Sequence, residues 1–480
     1  MLQPVIVGRA EPSAASASRP PSVRWALTGL SLSMLLSSLG ISIANVGLPT
    51  LAQAFSASFQ QVQWVVLAYL LAITTAIVSV GRLGDILGRR RLLLAGLVLF
   101  VLASVLCGAA PALWLLIAAR AAQGLGAAVM MALTMTFVGD TVPKARTGSA
   151  MGLLGTMSAV GTALGPSLGG VLIATAGWRA IFLVLVPLGI MALAFAHRHL
   201  PADRGEPKER GAGFDGLGTL LLALALAGYA LAMTLGRGSF GPLNIALLLA
   251  AAVAAGLFVA AESSVPSPLI RLAMLRDPML GASLAMSALV STVVMATLVV
   301  GPFYLSRGLG LEAPCVGLVL SAGPLTTALA GVPAGRLADR LGAPRMVIAG
   351  LIGMAMGSAM LGMVPAAAGI AGYLAAIVTL TCGYALFQTA NNTSVMADVP
   401  PDRRGVTSGL LNLSRNLGLV SGACVMGAVF AFASAASDIA TAHPAAVTTG
   451  MRVTFALAAF LIAGALAIAV GTFRRRWRRC

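Results

Sequence analysis

Gly81-Arg82-Leu83-Gly84-Asp85-Ile86-Leu87-Gly88-Arg89-Arg90 decides the fold, because the chain writes it twice. The second copy is Gly335-Arg336-Leu337-Ala338-Asp339-Arg340-Leu341-Gly342-Ala343-Pro344-Arg345, with both glycines, the leucine and the aspartate repeated 254 residues later. A weaker echo follows each copy. Asp140-Thr141-Val142-Pro143-Lys144-Ala145-Arg146-Thr147-Gly148 is answered by Asp398-Val399-Pro400-Pro401-Asp402-Arg403-Arg404-Gly405 at an offset of 257 or 258. Repeats at fixed spacing mark an architecture built from equivalent units.

The segments around these loops are long and apolar. Runs of 18 or more apolar residues fall near 24–48, 62–81, 91–110, 112–136, 149–174, 179–197, 215–235, 242–261, 279–305, 314–334, 345–364, 369–396, 406–432 and 450–472, fourteen in all. The first loop follows run 2 and its copy follows run 10. Two six-helix halves therefore predict two extra helices between them. The expected organisation is an arm at 1–23, a first half at 24–197, a linker at 198–214, an extra pair at 215–261, a second half at 262–472 and a basic tail at 473–480. The arm, rich in Ala, Ser and Pro, reads as disordered, and run 1 as a retained span rather than a signal peptide.

Composition agrees. Of 480 residues, 59% are apolar and 9% charged, with a mean hydropathy of +0.96; soluble domains carry about 25% charged residues. A soluble enzyme, a secreted disulfide scaffold and a disordered chain are excluded. Continuous rather than alternating apolar runs exclude a β-barrel. The five scattered cysteines suggest neither a disulfide framework nor a metal site. The fold class is an all-α polytopic membrane protein.

The net charge of +17 is laid out by loop rather than massed into a nucleic-acid patch. With the N-terminus in the cytoplasm, inner segments hold 25 of the 31 Lys and Arg, outer loops hold 4, and Arg120 and Arg415 fall inside helices. That bias predicts both termini inside a plasma membrane (the inner membrane of a Gram-negative cell). The tail Phe473–Arg479 is expected to rest on anionic lipid headgroups.

Parallel six-helix halves are a transporter architecture. In the repeated loop, Gly81 and Gly88 permit a tight turn, Asp85 suits a helix N-terminus, and Arg89 and Arg90 can pair with acids at helix ends such as Asp140. With Gly335, Asp339 and Gly342 in the second copy, this reads as a latch that breaks when an inner gate opens. A plain solvated turn is the alternative, which the duplication disfavours.

These residues resemble the major facilitator superfamily. The loop is similar to its motif G-x-L-a-D-r-x-G-r-k, departing at Ile86. The stretch around Arg120, Gln123, Gly124 and Gly126 is similar to its helix-4 motif, and Gly177-Trp178-Arg179 fits the start of helix 6. Gly155, Gly161, Gly165, Pro166, Gly169 and Gly170 are similar to the helix-5 motif of its exporters. Fourteen helices imply the drug:proton antiporter branch, hence export of small organic molecules driven by a proton gradient. One position departs. The branch places an acid on helix 1 where this chain has Gly40, so the proton role of that acid does not carry over; if coupling operates, Asp140 or Asp398 would be its carriers.

All 14 acids and all 3 histidines fall in loops or at helix ends. The polar groups at membrane depth are cationic or amide: Asn45 with Ser38 and Ser42 on helix 1; Arg120 and Gln123; Gln388, Asn391 and Asn392; and Asn412, Arg415 and Asn416. Intramembrane charge is a functional-site hypothesis, whereas amides more often join helices. The stripes from both halves are expected to line a shared cavity. Without an acid there, a cationic solute lacks a counter-charge, which favours neutral or weakly anionic ones. The leading reading is a secondary-active exporter. The alternative is a uniporter or anion-linked porter for neutral or anionic solutes. A membrane enzyme would need a nucleophile–base pair or metal ligands at depth, and a scaffold would need a soluble domain. Neither is present, nor is an ATP-binding loop, so no cofactor beyond the ion gradient is expected. The expected partners are a small solute and lipid, without nucleic acid.

Overall fold

A computed structural model describes residues 23–141, 147–201, 215–235, 241–264, 277–365, 368–397, 399, 404–435, 439 and 442–477. Most of the arm, the linker from 202 onward, the last tail residues and Asp398 lie outside them. Fourteen helices are long and apolar enough to cross a membrane. They are α1 Val23–Val46, α2 Phe59–Leu87, α3 Arg89–Ala109, α4 Leu113–Thr141, α5 Thr147–Ala176, α6 Ala180–His199, α7 Gly216–Thr234 and α8 Pro242–Ser264. Then follow α9 Pro278–Gly308, α10 Ala313–Leu341, α11 Ala343–Met363, α12 Gly369–Ala397, α13 (404–433) and α14 Pro444–Trp477. An even number of crossings returns the chain to one face, so Val23 and Trp477 share the terminal face. Loop tips between α2 and α3 and between α10 and α11 lie on it too.

The duplicated loop is visible in the backbone. Gly88 closes α2 and opens α3 at φ 95° and ψ 126°; Gly342 closes α10 and opens α11 at φ 88° and ψ 133°. Each redirects the chain in a single residue, at a φ that costs a side-chain-bearing residue strain. Gly81 lies inside α2 with open space around it, so the turn rests on Gly88 alone.

α1–α6 and α9–α14 form the two halves. In the first, Ser38 Oγ meets Ser158 Oγ at 2.6 Å and Ser42 Oγ donates to the Gly161 carbonyl at 3.1 Å, tying α1 to α5. In the second, the Thr292 hydroxyl on α9 donates to the Gly418 carbonyl and that of Ser414 to the Leu284 carbonyl, tying α9 to α13. α13 is interrupted by a π-helical turn, Gly422–Met426, a feature that often sits at functional positions.

The extra pair α7–α8 sits beside the junction of α2 and α13. Trp64 Nε1 on α2 donates to Thr234 Oγ1 at 3.1 Å, and Ser79 Oγ meets Thr219 Oγ1 at 2.7 Å. α7 also packs against the π-helical turn of α13. α7 is thus hydrogen-bonded to a helix of the first half and packed on one of the second. α8 is the least buried of the spans, with 17% of its apolar stretch buried against 39% for α7.

Candidate functional site

The halves meet along two seams. In one, Pro166 and Gly170 of α5 press on Gly317 of α10: a Cβ on Gly170 would lie 2.5 Å from the Ala313 carbonyl oxygen and 3.1 Å from Gly317 Cα. In the other, Gln63 Nε2 of α2 donates to the Ala423 carbonyl of α13, and Gly427 leaves room for that amide. These contacts lie toward the face opposite the termini. There Phe59 also packs on Phe303 and Phe430, with ring centroids 4.9 and 5.6 Å apart. All three rings are buried, and together they bridge the two halves.

The helix-5 glycines divide between two neighbours. Gly161, Gly165 and Gly169 lie against Leu35, Ser42 and Val46 of α1, and Gly170 lies against α10. Small residues permit such approach between membrane helices. Pro166, inside the helix, leaves its carbonyl beside Gly317.

Arg120 is wholly buried. Its Nε donates to the Val65 carbonyl at 2.8 Å, and its Nη1 to the Gly40 carbonyl at 3.0 Å and to Gln123 Oε1 at 2.6 Å. Gln123 Nε2 in turn donates to Ser104 Oγ at 2.7 Å. The guanidinium lies 4.1 Å above the Tyr69 ring, a cation–π geometry. Helices α1, α2 and α4 meet at this one side chain, and α3 joins through Gln123 and Ser104. No carboxylate among the described residues bonds it, and Nη2 has no partner. Gly40 contributes only its carbonyl; a Cβ there would lie 3.0 Å from the Tyr69 hydroxyl. Arg120 and Gln123 are therefore packed inside the first half rather than lining a cavity. Asn45 is likewise buried, its Nδ2 donating to Ile41 at 3.2 Å.

The second half keeps an open polar space. Gln388 and Asn392 of α12, Asn412 and Arg415 of α13 and Ser287 of α9 line a cavity of about 120 Å³, with Met396 and Leu411 as its apolar wall. Ser287 lies nine residues after the α9 start at Pro278, and Met396 one residue before the α12 end at Ala397. Chain direction thus puts the cavity toward the terminal face. Arg415 is half-buried, and among the described residues it makes no hydrogen bond or ion pair. Asn391, one residue from the cavity wall, turns to α9 instead, donating to the Ser283 carbonyl at 3.5 Å.

The expected shared cavity thus resolves into two places. Gln388, Asn392, Asn412 and Arg415 come together; Asn45, Arg120, Gln123 and Asn391 are each held elsewhere. The sequence pattern missed Ser287 and, at the seam, Gln63. Gln63 has a signal in hindsight: the 254-residue offset carries Gly317 onto position 63.

Around the duplicated loop, Arg90 Nη2 donates to the His197 carbonyl at the end of α6, and Arg90 has a further partner besides. Arg89 also has partners. Asp339 is exposed, and Gly335 lies within α10. The side chains of Asp85 and Asp140 lie outside the described residues. Every carboxylate-bearing residue that the structure describes stands at a helix cap or in a last turn, including buried Glu262 near the end of α8.

Comparison with known proteins adds the lineage. The family model described as Major Facilitator Superfamily matches residues 30–423 and, in a second match, 284–479. The chain is 34% identical over 390 residues to the "Uncharacterized transporter YebQ" of Escherichia coli (strain K12), a match spanning 80% of this chain and 84% of that one. It is 33% identical over 407 residues to the "Multidrug resistance protein Stp" of Mycobacterium tuberculosis (strain CDC 1551 / Oshkosh), spanning 84% and 75%. Among solved structures, a bacterial homolog to the human lysosomal transporter Spinster, crystallised inward-facing and occupied, superposes with a TM-score of 0.69 at 16% identity. That match covers 95% of this chain and 97% of the other and speaks to the fold alone.

Proposed function

The chain belongs to the major facilitator superfamily of membrane transporters and is not an enzyme, and we propose that it exports small organic molecules by alternating access. One observation carries the reading: both seams and the Phe59–Phe303–Phe430 cluster hold the halves together away from the termini, while a polar cavity lies toward them. A porter working by alternating access closes one side of its site at a time. With the terminal face cytoplasmic, as the Lys and Arg distribution favours, this arrangement is the loading state of an exporter. The likeness to a protein named for multidrug resistance supports drug-like cargo. The duplicated loop, anchored by Gly88 and Gly342 and tied to α6 by Arg90, is then the inner latch, with Asp85, Asp140 and Asp339 as its acids.

The driving ion admits a second reading, favoured by a specific feature. Arg120 bonds the Gly40 carbonyl, where the antiporter branch has an acid, so a uniporter or anion-linked porter is the rival to proton antiport. Dye transport in inverted vesicles from an efflux-deficient bacterium decides between them. Accumulation abolished by a protonophore establishes proton antiport; accumulation that survives it establishes the rival. No accumulation of cationic, neutral or anionic dyes above that of empty-vector vesicles removes the exporter reading itself.

A further inference from the structure

We propose that Arg415 is a specificity-determining residue that binds the carboxylate of an amphiphilic organic anion, the Gln388–Asn412 cavity being a headgroup subsite. The inference rests on the transporter reading above and adds the chemical class of the solute.

Four observations support it. Arg415 presents a guanidinium to the cavity and, among the described residues, spends it on no protein partner. A buried or half-buried arginine normally does the opposite, as Arg120 shows by engaging two carbonyls and an amide. The remaining polar lining, Gln388, Asn392, Asn412 and Ser287, supplies amide and hydroxyl donors and no carboxylate. A planar oxyanion accepts two parallel N–H bonds from a guanidinium, and side-chain amides can saturate its other lone pairs. A cation would meet an uncompensated like charge.

The field of the surrounding protein has the same sign. Arg120 is a second intramembrane guanidinium without an acid among the described residues, and every described acid stands at a helix end. Both arginines therefore bias the interior toward anions.

Size and wall composition add the amphiphile. At about 120 Å³ the space is smaller than the roughly 300–1,000 Å³ of a drug-sized site. It suits one polar group with the rest of the molecule outside it. Its apolar wall, Met396 and Leu411, joins an apolar cluster with Leu280, Leu284, Val395, Leu410 and Leu413. A hydrocarbon or aryl tail would lie there.

The test uses the purified full-length protein in nanodiscs at pH 7.5, with 11-(dansylamino)undecanoic acid and its methyl ester as a pair differing by one charge and one methyl group. Fluorescence titration, corrected with empty nanodiscs, is expected to give at least about tenfold tighter binding of the acid. Arg415→Gln should reduce the acid to the level of the ester and leave the ester unchanged, while Arg415→Lys should keep part of the preference. Equal binding of acid and ester by the wild type overturns the proposal without needing any variant to fold. A loss that strikes both probes alike, or an Arg415→Gln protein that keeps its acid preference, also overturns it. Because binding is read without transport, failure here leaves the vesicle experiment to judge the exporter reading separately.

Discussion

The α5–α10 seam and the α13–α2 seam are one contact made twice. Gly317 and Gln63 stand 254 residues apart; Pro166 and Ala423, and Gly170 and Gly427, stand 257 apart. Those are the offsets of the duplicated loops. At the first seam a carbonyl meets a glycine, and no side chain intervenes. At the second, the glycine is replaced by Gln63, whose amide spans the gap to the equivalent carbonyl. Only the second is flanked by α7, which is hydrogen-bonded to Trp64 and Ser79 of α2 and packed on the π-helical turn of α13. The difference teaches where each seam is vulnerable. Main chain against main chain is intolerant of any added atom. A side-chain amide can rotate away, so that seam yields to subtraction and has a third helix to hold it.

The first seam should therefore break under the larger effect. Gly317→Val places two methyl groups against the Pro166 carbonyl, where even a Cβ has no room. Overpacking of this kind costs about 3 kcal/mol or more, on the order of 100-fold in the population of the state closed away from the termini. Dye transport per molecule of protein should fall to near background while membrane expression persists. Wild-type transport by Gly317→Val would mean that the two helices do not meet as described.

Gln63→Ala is the counterpart at the second seam. It removes the donor and adds nothing. A hydrogen bond of this type has a net worth of about 1 kcal/mol, so transport should drop about fivefold, much less than for Gly317→Val. A reversed order of the two effects would dissolve the distinction between a seam sensitive to addition and one sensitive to loss.

How much of this was legible beforehand follows the range of each interaction. Helix positions depend on local hydropathy, and the fourteen apolar runs correspond to the fourteen helices within a few residues at most ends, α14 running on to Trp477. The turn at Gly88 was legible because its pattern recurs at Gly342; Gly81, one helical turn and more upstream, shares the motif without sharing the turn. The polar stripes were legible as stripes, but not by what they face. Arg120 is held by main-chain carbonyls of Val65 and Gly40, groups that every residue carries and no sequence pattern marks. Gln63 was one amide in an apolar run. Its role is defined by Ala423, 360 positions away, and it emerges only when the repeat offset is applied to the opposite seam.

The smallest effect concerns α7, and it separates a strap from a bystander. Thr234→Val deletes the hydroxyl that accepts from Trp64 Nε1 and keeps the side-chain shape. Polar contacts between membrane helices average about 0.6 kcal/mol, so the single change should lower transport by less than about threefold. Its partner in a double mutant is more telling than its size. If α7 holds α13 against α2, Thr234→Val and Gln63→Ala act on one seam. Their effects on the thermal stability of the purified protein should then differ from additivity by about 0.5 kcal/mol or more. Thr234→Val combined with Gly170→Ala, which acts on the other seam, should be additive within about 0.3–0.5 kcal/mol. Additivity in both pairs would make α7 a lipid-facing passenger. Coupling in the first pair alone would make the extra hairpin the element that turns two equivalent seams into unequal ones.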